Sequence, residues 1–298
     1  MIPVLDWRRF SRGTDRAGFV RDLGAACRGP GVFLLTDHGI DAALTDAVFT
    51  RAGQLFELTE AEKRTLHVPS RPRDRGWIKL GTESLGPDNQ RPDRKEAFGI
   101  GPEAPGGAPQ ARWGTPYRGT NLWPDLPDFR ETMLRYFHAA QTLALALHHA
   151  VAADLGLPDD WFDRRFRRPD ATLRLFRYPA GTAAEGDMAT GPHRDAGTLT
   201  LLLADGDAGV QVLSDGDDGW IDVPNRPGAI IVNVGDRLSD WSGGRYASPT
   251  HRMLPPKRDC KSVAFFLLPE EVAASDSGKA APASMAWAEN AVQRRARA

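Results

Sequence analysis

The stretch GPHRDAGTLTLLL, residues Gly191–Leu203, joins charged residues directly to an apolar run. Its second half places threonines between leucines and then continues apolar, a pattern that predicts a buried β-strand. Its first half places His193, Arg194 and Asp195 at the mouth of that strand. Burying ionisable side chains costs free energy unless each is paired or bound to a metal. His193 and Asp195 are therefore candidate metal ligands or members of a structural ion pair.

A third residue is needed to decide between these two explanations. Residues two apart on a strand point to the same face, with Cα atoms about 6.5–7 Å apart, so His193 and Asp195 can reach one ion. His251, in GRYASPTHRMLPP, follows a glycine-containing turn. Strands far apart in sequence lie side by side in a jelly roll, so His251 can complete a triad. Two histidines and one carboxylate are typical of non-haem Fe(II) oxygenases, although zinc with a bound water would also fit.

Bulk composition limits the classes of function. The chain has 298 residues, is 41% hydrophobic and carries a net charge of −1. This length allows a sizeable core, and the balanced charge does not favour nucleic-acid binding. No apolar run approaches the roughly 18 residues of a membrane span, and the N-terminus lacks the layout of a signal peptide. We expect a cytoplasmic monomer or weak homo-oligomer that binds a small molecule and neither nucleic acid nor membrane.

The first half of the chain is predicted to be mostly helical. Thr14 is the expected N-cap of a helix that Gly29 ends, and DAALTDAVFTRAGQLFELT and EAEKRTLH predict two more helices. Apolar residues at helical spacing predict a long amphipathic helix over about residues 128–155, ended by Gly156. Three histidines of that helix are expected to be surface or packing residues: His138, His148 and His149.

Two other parts of the chain have different patterns. Residues 68–120 are rich in Pro, Gly and Arg and predict loops with short strands in RGWIKLG and KEAFGIG, a composition often found in the wall of a binding site. From Ala171 onward, short apolar strands are separated by Gly, Asp and Pro turns, which favours a jelly roll. We predict an α+β fold, a double-stranded β-helix with a mostly helical N-terminal half. The expected single domain, 1–298, comprises a helical region over about 1–165, a jelly-roll core over about 171–269 and a tail over 270–298.

From about Leu173 to Pro269 the chain resembles the isopenicillin N synthase-like family of iron(II)- and 2-oxoglutarate-dependent oxygenases. The motifs RYP, HRDAGTLTLLL, GVQVL, GWIDVPNRPGAIIVNVGD, GGRYASPTHRM and KSVAFFLLP follow the family's order and spacing. IPVLDW, GVFLLTDHGI and RGWIKLGTES look like the family's N-terminal region. Within the family, the chain most resembles bacterial members of the deacetoxycephalosporin C synthase type. The resemblance implies that Fe(II) is held by His193, Asp195 and His251.

The resemblance also implies a reaction. The chain is expected to be an Fe(II)/2-oxoglutarate-dependent dioxygenase, with 2-oxoglutarate and O2 as cosubstrates. It would hydroxylate, desaturate, or form or expand a ring in a small natural-product intermediate, and no catalytic residue is expected beyond the metal ligands. Three alternatives stay open at this point: an iron oxidase that needs no 2-oxoglutarate, a zinc hydrolase or lyase on the same fold, and a non-catalytic binding protein.

The cosubstrate residues depart from the family's pattern at one position. In the family, an Arg-x-Ser pair and a Tyr before Pro hold 2-oxoglutarate, which assigns Tyr178 and Ser262 to this role here. Cys260 stands where the arginine is expected. Arg258 is the preferred replacement cation, because it shares the strand parity of Cys260 if the strand begins late or bulges. The other candidates are Arg174, Arg177 and Lys261.

Two further arginines are predicted to contact the substrate. Arg174 matches an arginine that holds the substrate carboxylate in cephalosporin-type relatives. Arg75 begins an aperiodic segment of the Gly- and Pro-rich region, and this segment is expected to form part of the substrate wall. We expect residues 75–84, together with the tail around Trp287, to close over the substrate.

Overall fold

The chain is described by a computed structural model that covers residues 1–67, 75–85, 91–103, 120–167, 169–180, 187–206, 209–214 and 219–269. Its strands are β1 (Val4–Asp6), β2 (Val32–Thr36), β3 (Gly76–Ile78), β4 (Glu96–Ile100), β5 (Asp170–Tyr178), β6 (Thr190–His193), β7 (Leu199–Ala204), β8 (Val210–Leu213), β9 (Trp220–Asp222), β10 (Ile230–Val234), β11 (His251–Met253) and β12 (Cys260–Leu268). Its helices are α1 (Arg8–Ser11), α2 (Arg16–Arg28), α3 (Ala42–Glu57), α4 (Glu60–Thr65), α5 (Phe129–Leu155) and α6 (Asp236–Trp241). The predicted tail and its Trp287 lie outside the described residues.

Two sheets make up the predicted jelly roll. The larger has eight strands in the order β1-β2-β10-β7-β12-β5-β4-β3, and the smaller has four in the order β6-β11-β8-β9. Both sheets pair their strands antiparallel, except that β1 runs parallel to β2. Strands from both halves of the chain share the larger sheet, so the N-terminal region extends the core instead of standing beside it. The described part of the first half therefore contributes four strands as well as the expected helices.

Helices cover one face of the larger sheet. The helices α2 and α3 contact α5, and α3 and α5 contact β12. The apolar face of α5 is buried as its spacing predicts, and Gly156 ends the helix with φ +67°, a conformation that suits glycine. His148 is fully buried between Phe162 and Phe166, which confirms a packing role for it. None of the helices in the described part of the chain is long and apolar enough to cross a bilayer.

One helix boundary differs from the prediction. Asp15, and not Thr14, caps α2: its carboxylate accepts a hydrogen bond from the backbone N–H of Gly18. The hydroxyl of Thr14 instead donates to the carbonyl of Arg8. Threonine and aspartate both favour the N-cap, so the sequence alone does not decide which of these two neighbours occupies that position.

The two faces of the larger sheet form two separate cores. The outer core, between sheet and helices, is mostly apolar and includes Leu173, Leu175 and Phe265. The inner core lies on the opposite face and contains residues of both sheets, among them Val212 and Ile231. Alternation along β5 and β12 sends odd and even positions to different cores. The inner face is where the polar residues of the candidate site are found.

Candidate metal and cosubstrate site

The strand pairing brings the three predicted metal ligands together. His193 at the end of β6 is the direct antiparallel partner of His251 at the start of β11. Asp195 follows β6, and its Oδ1 lies 3.7 Å from Nε2 of each histidine. Two ligands about 2.1 Å from one metal lie at most about 4.2 Å apart, so this spacing suits a shared ion. The predicted triad therefore converges on one point.

Hydrogen bonds orient each ligand. Nδ1 of His193 lies 2.8 Å from the carbonyl oxygen of Gly191, and Nδ1 of His251 lies 3.1 Å from that of Pro249. A carbonyl oxygen can only accept, so each Nδ1 carries the proton and each Nε2 offers its lone pair to the site. Backbone carbonyls two residues earlier thus select the tautomer that binds metal.

The carboxylate of Asp195 is held through its other oxygen. Oδ2 accepts hydrogen bonds from Thr200 Oγ1 at 2.5 Å and from Asn233 Nδ2 at 2.9 Å. Thr200 and Asn233 are cross-strand partners in the larger sheet. Gly235 is required close by, because a Cβ there would overlap the carbonyl oxygens of Gly197 and Asp195. Oδ1 is therefore left to face the two histidines.

The protonation states suit metal binding. Burial, and then the neighbouring His251, lower the pKa of His193 to about 3, so this imidazole is neutral at neutral pH. Burial acts to raise the pKa of Asp195, but the histidines and the hydrogen bonds from Asn233 and Thr200 outweigh it and lower that pKa. Two imidazoles whose Nε2 atoms face one point and one carboxylate form the donor set that Fe(II) accepts in oxygenases. The residues present fit the metal.

The triad opens into a cavity of about 90 Å³ on the inner face of the larger sheet. The cavity wall is mostly apolar, which limits the access of water to the site. Its apolar residues are Val32, Leu85, Phe176, Leu202, Val210, Val212, Ile231, Met253, Ala264 and Phe266. Its polar residues are Lys95, Arg174, Tyr178, Thr190, His193, Asp195, Thr200, Asn233 and His251.

Two of the predicted cosubstrate residues meet at one end of this face. Ser262 donates a hydrogen bond to the phenol oxygen of Tyr178 at 3.3 Å, and both side chains are buried. Burial raises the pKa of Tyr178, so its phenol stays protonated and can donate. Cys260 pairs with Tyr178 across the sheet, and burial raises the pKa of its thiol to about 12. The thiol is therefore neutral.

The predicted replacement cations differ in where they point. Arg258 precedes β12, is exposed and lies near Gly206, so this placement does not support our preference for it. Arg177 contacts Asp259, and Lys261 contacts Asp205, both on the sheet face opposite to Tyr178. Of the four, only Arg174 lines the cavity as the described residues define it.

The two predicted substrate arginines both lie on the inner face. Arg174 is 5% exposed, and its Nη2 lies 3.0 Å from each carboxylate oxygen of Glu83. Arg75 is buried further along the same face, where its Nη1 lies 3.4 Å from the hydroxyl of Thr172. Arg75 does not border the cavity within the part of the chain that the structure describes. The charged Arg194 is exposed and pairs with Asp236, as expected of a non-ligand.

Sequence reasoning missed a buried charged group beside the triad. Lys95 is 1% exposed, lines the cavity and contacts Asp93 at 2.9 Å and Glu83 at 3.2 Å. Burial acts to raise the pKa of Glu83, but Arg174 and Lys95 outweigh it and hold that pKa at about 2. The signal was present in PDRKEAFGIG, where charged residues stand at the mouth of an apolar strand.

Comparison with known families and proteins agrees with this geometry. Residues 169–269 match the family model of the 2OG-Fe(II) oxygenase superfamily, and residues 2–126 match that of the N-terminal region of non-haem dioxygenases of morphine synthesis. Validamycin A dioxygenase of Streptomyces hygroscopicus subsp. limoneus is 35% identical over 267 residues, which cover 86% of this chain and 72% of that protein. A 2-oxoglutarate-dependent dioxygenase of Trichoderma harzianum is 32% identical over 260 residues, covering 85% and 79%.

Solved structures show the same fold. A full-length Neurospora crassa protein, solved in complex with alpha-KG and thymine, superposes with a TM-score of 0.80 and 26% identity, covering 99% of this chain and 96% of that one. A putative 2OG-Fe(II) oxygenase family protein of Caulobacter crescentus superposes with a TM-score of 0.79 and 25% identity, covering 99% and 98%. The chain belongs to the 2OG-Fe(II) oxygenase superfamily, and the predicted Fe(II)- and 2-oxoglutarate-dependent dioxygenase is confirmed.

Proposed function

We propose that this oxygenase oxidises a small natural-product intermediate that carries a carboxylate. The observation that supports the proposal is the buried guanidinium of Arg174, which lines the cavity that holds the His193–Asp195–His251 triad. A charge buried in such a wall is costly unless it has an anionic partner. Glu83 is that partner here, and a substrate carboxylate can share the guanidinium of Arg174 with it.

The metal ligands have separate tasks in this proposal. Bound iron(II), with 2-oxoglutarate and O2, supplies the oxidising power for a C–H bond. His193 and His251 present their Nε2 atoms as donors, and Asp195 supplies one negative charge. The apolar wall, which includes Val212 and Ile231, keeps water from the reacting atoms.

The remaining polar groups are assigned by their place on the inner face. Tyr178 and Ser262 are proposed to donate hydrogen bonds to 2-oxoglutarate at one end. Arg174 is proposed to hold the substrate carboxylate towards the other end, with Arg75 beyond it. Arg174 and Tyr178 are four positions apart along β5, about 13 Å, which leaves room for two ligands.

Several finer expectations stay predictions. A particular likeness to the deacetoxycephalosporin C synthase type is one, whereas the relative of 35% identity is named a validamycin A dioxygenase. A cytoplasmic location, a monomer or weak homo-oligomer, the single-domain division and closure of residues 75–84 over the substrate are the others.

The proposal predicts a carboxylate-dependent reaction. Iron(II) enzyme is incubated anaerobically with 2-oxoglutarate and a panel of small natural-product acids, each paired with its amide, and O2 is then admitted. We expect O2 uptake and one succinate per oxidised molecule for an acid, with the matching amide at least tenfold poorer in kcat/KM. The reason is that loss of one charged hydrogen-bonding partner costs about 1.5–3 kcal/mol.

Variants locate the effect. Arg174→Met should raise KM for the acid at least tenfold and make kcat/KM similar for the acid and its amide. Arg164 is a surface arginine paired with Asp160, and Arg164→Met should leave both properties unchanged. Equal turnover of acids and amides by the wild type would contradict a carboxylate-bearing substrate. Full-rate turnover without 2-oxoglutarate would instead identify an oxidase of the isopenicillin N synthase kind.

A further inference from the structure

The cosubstrate end of the cavity lacks a cation on β12. 2-Oxoglutarate carries two carboxylates, and a carboxylate buried without a cation loses several kcal/mol of hydration free energy. The β12 position opposite Tyr178 is Cys260, a neutral thiol. Among the cavity-lining residues that the structure describes, the lysine and arginine side chains are Lys95 and Arg174.

The sheet register places one of these two beside Tyr178. The strands β12, β5 and β4 are neighbours, and Ser262, Phe176 and Ala97 form one row across them. The next row on the same face contains Cys260 and Tyr178 and, by continuing the β4 register, Lys95. Neighbouring strands lie about 4.8 Å apart, so Tyr178 is flanked by Cys260 on one side and by Lys95 on the other.

The side chain of Lys95 reaches into this end of the cavity. Its Nζ lies 5.7 Å from the centre of the Phe176 ring, and Phe176 stacks on Tyr178 with ring centres 6.0 Å apart. An ammonium group has three N–H donors, and Lys95 directs it towards two carboxylates, Asp93 and Glu83. Among the described residues these two carboxylates use two of the donors, which leaves the third for a ligand in the cavity.

Lys95 is also linked to the metal ligands. Asp93 accepts from Lys95 Nζ with Oδ2 and from the backbone N–H of Gly191 with Oδ1, both at 2.9 Å. The carbonyl of Gly191 orients His193. The position of Arg174 is different. Its Nη2 lies 3.0 Å from each carboxylate oxygen of Glu83, and on the sheet it lies two rows away from Tyr178.

We propose that Lys95, from β4, supplies the cation for the 2-oxoglutarate carboxylate that lies at Tyr178 and Ser262. The charge then enters from the side of Tyr178 opposite to Cys260, which explains how a chain with cysteine at that position keeps a dianionic cosubstrate. The assignment rests on the proposed arrangement of 2-oxoglutarate and substrate. Glu83, at 3.2 Å, is the carboxylate that a ligand displaces from Lys95, since Arg174 retains it.

The test compares two oxo acids that differ only at the far end. The full-length protein is loaded with Mn(II), a redox-silent substitute for iron, and titrated calorimetrically with 2-oxoglutarate and with 2-oxopentanoate, which has a methyl group instead of the distal carboxylate. We expect the wild type to bind 2-oxoglutarate at least tenfold more tightly. Lys95→Met should reduce this preference to less than threefold and leave the affinity for 2-oxopentanoate unchanged.

Lys95→Met removes a positive charge from beside the buried carboxylates of Asp93 and Glu83. A second variant, which also removes one negative charge, therefore accompanies it. In Asp93→Asn/Lys95→Met the amide oxygen can still accept from the N–H of Gly191, and the same loss of preference is expected. Lys79→Met, at an exposed lysine paired with Glu60, is the matched control and should keep the wild-type preference. Cys260→Arg added to Lys95→Met should restore a preference of tenfold or more.

The outcomes separate this proposal from the one before it. A preference retained in both Lys95 variants, or an equal weakening of both oxo acids, overturns the role of Lys95. A wild type that binds neither oxo acid overturns the proposed function itself and this assignment with it. If the preference for 2-oxoglutarate is lost in Arg174→Met instead, Arg174 is the cation, and this result likewise overturns the proposal.

Discussion

Asp195 is a buried carboxylate whose two oxygens have different environments. Oδ2 accepts two hydrogen bonds from the larger sheet, and Oδ1 faces His193 and His251. Because Thr200 and Asn233 are cross-strand partners, the backbone ladder between β7 and β10 sets the orientation of the carboxylate. Ligand geometry in this site is therefore a property of the sheet as much as of the ligand residues.

The first residue-scale prediction removes that orientation. Thr200→Val and Asn233→Leu each delete one hydrogen bond to Asp195 and should lower Co(II) or Fe(II) affinity about 10–100-fold, the usual effect of losing such a partner. Thr200→Ser keeps the hydroxyl and should stay near wild type. Anaerobic absorbance titration measures the affinity. Wild-type affinity in the double variant would show that Asp195 needs neither partner.

The second concerns the ligands themselves. Alanine at His193, Asp195 or His251 should each abolish stoichiometric Fe(II) binding, because each removes one of three donors. Replacement of Arg194, which points away and pairs with Asp236, should not alter the stoichiometry. Metal analysis after anaerobic reconstitution gives the answer, and full occupancy in all three alanine variants would exclude the triad.

Which residues of the site could be predicted depended on whether their signal is local. His193 and Asp195 stand two apart at the start of an apolar run, so residue types and spacing made them candidates, and His251 with the family resemblance decided between metal ligands and an ion pair. The interior position of Asn233, in the apolar run IIVNV, was an equally local signal. Lys95 and Glu83 meet through tertiary packing between separate segments, and no periodicity in the sequence encodes that contact.

At the scale of elements, the features with a local sequence signal could again be predicted, and α5 is an example. Its apolar spacing predicted the buried face and Gly156 predicted its end, because both follow from helix geometry. The predicted N-cap of α2 was wrong because Thr14 and Asp15 are both suitable residues and only the backbone conformation selects one of them. The parallel pairing of β1 with β2 could not be predicted either, since a strand of three residues carries too little pattern to register.

His148 on α5 gives an element-scale prediction of pH dependence. Burial lowers its pKa from 6.5 to about 4, although its Nδ1 donates to the carbonyl of Ala144. The unfolded chain therefore takes up this proton at a higher pH than the folded chain. Stability is complete above about pH 6.5 and is lost progressively as the pH falls towards 4.

The variant His148→Leu should remove this component. Between pH 7 and pH 5 the wild type should lose about 2 kcal/mol more unfolding free energy than the variant, the order expected for this lowered pKa. Urea denaturation at both pH values measures the difference. His138→Leu, at an exposed position of the same helix, should show the wild-type loss. Equal losses in wild type and His148→Leu would show that His148 is not the group responsible.

At the scale of the whole molecule, the metal site joins the two sheets. His193 and His251 belong to the four-stranded sheet, and Asp195 is tied by hydrogen bonds to Thr200 and Asn233 of the eight-stranded sheet. The inner core between the sheets also contains the cavity, so fewer apolar contacts hold the sheets together there. An ion shared by the three ligands would supply a connection that the packing lacks.

Removal of the metal should therefore loosen the two sheets at this point and leave the helical layer unchanged. Mn(II) at a thousand times its Kd should stabilise the folded chain by about 4 kcal/mol, by mass action alone. Amide hydrogen exchange should slow in β6, β11 and the start of β7 and stay the same in α5. Asp195→Ala should lose both effects, whereas His149→Ala, a half-exposed histidine on α5, should keep them. Protection that spreads evenly over sheets and helices would mean that the ion stabilises the molecule as a whole and does not act as a link between its two sheets.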